Sequence, residues 1–136
     1  VIVDTSALIA ILLGEDDSEP MIWALAKEAA RLPAPARLEF FRVASGSRLN
    51  LGPQALALLS EWDAGGMETV AFTSVHAALA ARANARYGKG NGRGGELNLL
   101  DLMVYAVAME RGEPLLFKGR DFAATDVTRH PASSIE

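Results

Sequence analysis

Short apolar runs alternate with helix-length stretches along this chain, and that alternation restricts the fold more than any other feature. Val1-Ile2-Val3, Thr69-Val70-Ala71-Phe72 and Leu115-Leu116-Phe117 are too short for core helices and read as buried strands. Between them, apolar residues recur at helical spacing. Thr5 to Leu13 reads as a short helix closed by Gly14. Met21, Ile22, Leu25, Ala26 and Ala29 mark a second helix, which starts near Ser18 and Pro20 and runs to about Arg31. Arg37 to Arg48 and Pro53 to Asp63 give two more. A fifth runs from a Ser74 cap to Tyr87, and the longest spans Leu97 to Arg111. Leu32 to Ala36 contains Pro33 and Pro35, which exclude a helix interior, so an extended crossing or a short edge strand is expected there. Thr125-Asp126-Val127 is expected to begin a last short strand, and the tail from about residue 130 to be loosely held. The pattern predicts one α/β domain over residues 1–136, a central parallel sheet with helices on both faces.

A chain of 136 residues, half of them hydrophobic, can bury a single sizeable core. It has no cysteine, which excludes a disulfide framework, a thiolate metal site and a cysteine nucleophile. No run approaches the length of a membrane span, and no basic segment precedes the first apolar run, so neither a membrane anchor nor a signal peptide is expected. A cytoplasmic location is the expectation. The net charge of −4 argues against a globally basic nucleic-acid binder. Arg82, Arg86, Lys89 and Arg93 nevertheless form a local basic cluster with no acid among them, either a candidate electrostatic footprint for a nucleic acid or a solvated helix face and loop. The glycine-rich stretch Gly88 to Gly95 does not follow a strand, so it is not a nucleotide-binding fingerprint; a flexible connector is expected.

Four acids stand beside apolar stretches. Asp4 directly follows the first strand, and Asp121 follows the Leu115–Phe117 strand, so both lie beyond strand carboxyl ends, where open α/β sheets bind ligands. Glu39, between Leu38 and Phe40, falls in the first turn of the third helix as read here. Asp101, between Leu100 and Leu102, falls near the start of the longest helix. Each also suits a helix cap or first turn. An acid among apolar neighbours is costly to bury alone and is therefore paired, protonated or bound to a cation. Carboxylates gathered in one pocket suit Mg²⁺ or Mn²⁺, which prefer oxygen ligands. Thr5 and Ser6 either support such a site or cap the helix. The two histidines, His76 and His130, show no partner in the sequence; His76 is expected to be a surface or half-buried residue rather than a ligand.

These residues carry a resemblance. Ile2-Val3-Asp4-Thr5-Ser6-Ala7-Leu8 is similar to the opening of PIN domains, and in particular of VapC-type toxins of bacterial toxin–antitoxin pairs. The likeness continues at Arg86 to Gly90, at Gly95 to Ala108 around Asp101, and from Pro114 to Phe122 with Thr125-Asp126-Val127 after it. The resemblance implies a three-layer αβα fold and a Mg²⁺- or Mn²⁺-dependent endoribonuclease held off by a cognate VapB-type antitoxin. It further implies a homodimer, and assigns Asp4, Glu39, Asp101 and Asp121 to the acidic cluster, with Asp126 in reserve for the fourth place. Leu100 stands where the family usually has a small residue, and Arg120 where a further polar or acidic residue is frequent.

Two other functions remain open at this stage. A phospho-acceptor receiver domain is also α/β with acids and a lysine at strand ends, and Lys118 follows a strand; but Thr5 stands where that layout needs a second acid. A catalytically inactive PIN-type interaction module is the other.

Overall fold

The computed structural model describes residues 1–136. Four parallel strands form the sheet: β1 (Ile2–Val3), β2 (Arg31–Pro33), β3 (Glu68–Val70) and β4 (Leu115–Leu116), in the order β3-β2-β1-β4. Ile2 stands beside Arg31 on one side and Leu115 on the other, and Val3 beside Leu116. The helices are α1 (Thr5–Leu12), α2 (Glu19–Lys27), α3 (Ala34–Ser45), α4 (Gly52–Ala64), α5 (Ser74–Tyr87) and α6 (Leu99–Arg111). The layout is the expected three-layer α/β architecture. Its core is one continuous cluster in which Ile2, Val3, Leu8, Leu32, Phe40, Val104, Val107, Leu115 and Leu116 are fully buried. No helix is long and apolar enough to cross a membrane.

The second helix ends at Lys27, four residues earlier than expected, because the Arg31 amide donates to the Val1 carbonyl at 2.8 Å and takes the chain into the sheet. Leu32 and Pro33 therefore belong to an interior strand and not to an edge. The prolines are accommodated by position. Pro33 closes the strand, and Pro35 lies in the first turn of α3, where a missing N–H costs nothing. With α3 starting at Ala34, Glu39 sits in its second turn and not its first. Helix α5 is capped by Thr73 rather than Ser74: Thr73 and His76 form a reciprocal capping box. Gly14 and Gly112, just past α1 and at the end of α6, adopt φ of +63° and +61°, the left-handed conformation that closes helices.

Two further expectations are corrected. Thr125–Val127 forms a bend, not a strand. The chain after it is packed, not loose: the His130 amide donates to the Leu115 carbonyl at 2.9 Å, Ser134 N to Phe117 O at 3.0 Å, and Gly119 N to Ser134 O at 2.8 Å. The His130 ring is buried and pairs with Glu28 at 2.7 Å. These bonds occupy the free side of β4, an edge that would otherwise present unpaired backbone groups. The glycine-rich loop is also ordered by a specific device. Asn91 Oδ1 accepts from the amides of Arg93 and Gly95, while its Nδ2 donates to the Ala85 carbonyl.

Candidate active site

The site is assembled from loop and helix positions around the end of β1. Asp4 leaves that strand with an extended backbone and caps α1, its Oδ2 accepting from the Ser6 amide at 3.0 Å. The Ser6 hydroxyl donates to the same oxygen at 2.5 Å and accepts from the Lys118 amide at 2.9 Å. One serine thus locks the Asp4 rotamer and ties it to the loop after β4. Thr5 Oγ1 donates to the Ala36 carbonyl at 3.2 Å, fastening α1 to the first turn of α3, the helix that carries Glu39. Asp101 is the third residue of α6. Its Oδ2 accepts from the Asn98 amide at 3.1 Å, while Asn98 Oδ1 accepts from the Asp101 amide at 2.9 Å. For Asp4 and Asp101, capping therefore does not compete with a place in the candidate site: the cap bonds fix each carboxylate.

Electrostatics show which acids share a neighbourhood. Asp4 is 5% exposed, and burial pushes its carboxyl up to about 6 against the lowering effect of the Ser6 hydrogen bonds; the charges of Glu39 and Asp121 raise it further. Asp101 is 9% exposed and is pushed to about 7, first by burial, then by the Asp4 charge, with Asp121 and Glu39 adding to it. The four candidate acids, from four separate parts of the chain, thus form one mutually repelling group. No lysine or arginine figures among the causes that hold either pKa. Asp121 is exposed and Glu39 half-buried at the rim. As the side chains stand, no three of these groups close to ligand distance around one point. The donor set is all carboxylate oxygen, which matches a small hard cation that retains several waters and is reached partly through them.

Other candidates lie elsewhere. Asp126 accepts from the Tyr105 hydroxyl and faces Arg86 at 3.7 Å, and it contributes to neither raised carboxyl. Lys118 Nζ pairs with Glu15 at 3.1 Å and Asp17 at 2.9 Å, so the lysine that a receiver domain needs beside its acids is committed to another turn. Arg82, Arg86, Lys89 and Arg93 are exposed on the end of α5 and the loop after it, with Arg86 partly engaged by Asp126 and by the Tyr87 ring. Neither histidine is a surface residue. His76 is 2% exposed; its Nδ1 accepts from the Thr73 amide at 2.9 Å, and its Nε2 lies 2.8 Å from Glu110 on α6. No local signal in the sequence points to that pairing, because Glu110 lies 34 residues away.

The PIN-domain family profile matches residues 1–127, and the chain belongs to the PIN-domain family. Ribonuclease VapC28 of Mycobacterium tuberculosis is 43% identical over 129 residues, which cover 94% of this chain and 96% of that protein. A ribonuclease VapC of Mycolicibacterium smegmatis is 38% identical over 127 residues, covering 93% and 96%. Among solved structures, VapC20 of M. tuberculosis, described as a sarcin–ricin-loop-cleaving toxin, superposes with a TM-score of 0.75 at 17% identity over 95% of this chain and 97% of that one. A toxin–antitoxin complex from Klebsiella pneumoniae gives 0.72 at 16% identity, covering 98% of each chain. At these identities the structural likeness speaks for the fold.

Proposed function

We propose that this chain is the toxin of a toxin–antitoxin pair and hydrolyses RNA phosphodiester bonds at a Mg²⁺ or Mn²⁺ site formed by Asp4, Glu39, Asp101 and Asp121. The observation that carries the reading is the pair of buried carboxyls, at about 6 and about 7, whose repulsion no protein cation relieves. A folded protein keeps such a group when something outside the chain neutralises it. The ribonuclease names of relatives covering nearly the whole chain at 37–43% identity support RNA as the substrate. A VapB-type antitoxin is the corresponding partner proposal, supported by the toxin–antitoxin complexes among the structural neighbours; a homodimer is proposed on the family resemblance alone.

When bound, the cation supplies polarisation of the phosphodiester and a water acidified to nucleophilic strength. The protein's own work is to arrange charge for it. Asp4 and Asp101, buried and pinned by Ser6 and by Asn98, hold fixed positions that cost no reorganisation on binding. Glu39 and Asp121, at the half-open rim, have room to reach an ion or its waters. Both buried carboxyls must lose their protons for metal to bind, so metal affinity and cleavage rise as pH passes through about 6 to 7. The test is cleavage of total cellular RNA with Mg²⁺, Mn²⁺ or chelator, comparing the natural chain with Asp4→Asn. Metal-dependent cleavage lost in the variant is the expected result. Equal cleavage by both, or none by either, refutes the assignment.

A further inference from the structure

Beside the acids lies a cleft of about 920 Å³ that the acidic site does not account for. Glu39 and Leu100 belong to its wall, so it opens directly onto the site. The lining carries Arg42 and Arg48, from α3 and the turn after it, together with Phe72 and Met103. Both arginines are exposed, and neither joins the ion pairs that engage Arg31, Arg37 and Arg86. The Phe72 ring is backed by His76, with ring centroids 5.6 Å apart, and His76 is itself braced by Thr73 and Glu110. An aromatic ring held this way loses little freedom when a ligand packs on it. Two uncommitted guanidinium groups, a braced ring and apolar walls therefore lead away from a cluster of negative charge on a chain of net charge −4.

We propose that this cleft is the track of the RNA strand beside the scissile bond: Arg42 and Arg48 hold phosphates, and Phe72, with Leu100 and Met103, receives an unstacked base. The inference rests on the ribonuclease reading above. A polyanion approaching four carboxylates is repelled, and flanking cations offset that repulsion where the strand must run. Single-stranded RNA is recognised by splaying bases onto aromatic faces while basic groups follow the backbone, and the lining of this cleft offers both. Leu100 then has a purpose: a large apolar side chain next to Asp101 completes the base-contacting surface where a small residue would leave it open.

The test is fluorescence anisotropy of a labelled single-stranded RNA of mixed sequence, titrated with the full chain across a range of salt. All proteins carry Asp4→Asn so that the probe survives. Arg42→Gln with Arg48→Gln is expected to weaken binding at least tenfold and to flatten the log–log salt dependence by about 1.4, two phosphate contacts at about 0.7 each. Phe72→Leu, which keeps an apolar side chain beside His76, is expected to weaken binding at least threefold with the salt slope unchanged, because stacking and not charge is lost. Unaltered melting temperatures establish that the variants are folded. If the double variant binds as tightly and with the same slope as its parent, the track lies elsewhere. If the parent binds RNA and the natural chain cleaves it, that outcome overturns the track alone. If the parent does not bind and the natural chain does not cleave, the ribonuclease reading falls and the track falls with it.

Discussion

Replacing Asp101 by Asn should stabilise the metal-free protein, and the amount is set by the site's electrostatics. Raising this carboxyl from 3.8 to about 7 costs the ionised folded state about 4 kcal/mol. The sign follows from proton binding. Between 3.8 and about 7 the folded protein holds the proton and the unfolded chain does not, so stability falls as pH rises through that window and the full penalty is present above it. Asn carries no charge, yet its side-chain oxygen can still accept from the Asn98 amide, so the cap survives. Asp101 is not fully enclosed, so solvent screening reduces the penalty realised. A net gain of about 2 kcal/mol is therefore expected at pH 8, or roughly 6–10 °C in Tm for a domain of this size. Thermal unfolding followed by circular dichroism in chelator, at pH 8, 5 and 4, measures it. The advantage of Asp101→Asn should be largest at pH 8, fall below half at pH 5 and nearly vanish at pH 4. Added Mg²⁺ should raise the Tm of the natural chain and not that of the variant, since only the former gains binding free energy on folding. An Asn variant no more stable than its parent at pH 8, or a difference that ignores pH, would refute the view that Asp101 is held ionised against burial and the repulsion of its neighbours.

Asp4→Asn is expected to abolish cleavage and Glu39→Gln to reduce it at least a hundredfold. Asp121→Asn, exposed and beside Arg120, is expected to lose only part, as read from single-turnover rates on one RNA. Ser6→Ala removes the hydroxyl that both lowers the Asp4 pKa and accepts from Lys118; it should cost about 1–3 kcal/mol of stability and move the rise of the pH–rate profile to higher pH. A profile that does not move would mean that Asp4 is not the titrating group. Alanine at Arg82, Arg86, Lys89 and Arg93 together should weaken RNA binding and flatten its salt dependence by up to about 2.8, with Arg86 contributing least because Asp126 already engages it. Unchanged affinity at low salt would remove this cluster from the RNA surface.

The sequence alone carried the architecture and the list of candidate acids. Short apolar runs separated by helical periods admit few arrangements other than a covered parallel sheet, and an acid directly after a strand falls at the ligand end of such a sheet whatever the rest of the chain does. Asp4 and Asp101 were legible for a second local reason: each is also a cap or first-turn residue, so its orientation follows from hydrogen bonds within three residues. What depended on tertiary contact was not legible. Arg31, Leu32 and Pro33 carry no strand period, and they become an interior strand only because Val1 on one side and Glu68 to Val70 on the other supply partners. His76 and His130 are silent until packing brings Glu110 and Glu28 to them from 34 and 102 positions away. The cleft that joins Arg42 and Arg48 to Phe72 and Leu100 has no counterpart in any one segment. Local rules act through backbone hydrogen bonds and side-chain period over a few residues. Burial, charge repulsion and cavities arise between elements, and only the folded chain decides which elements meet.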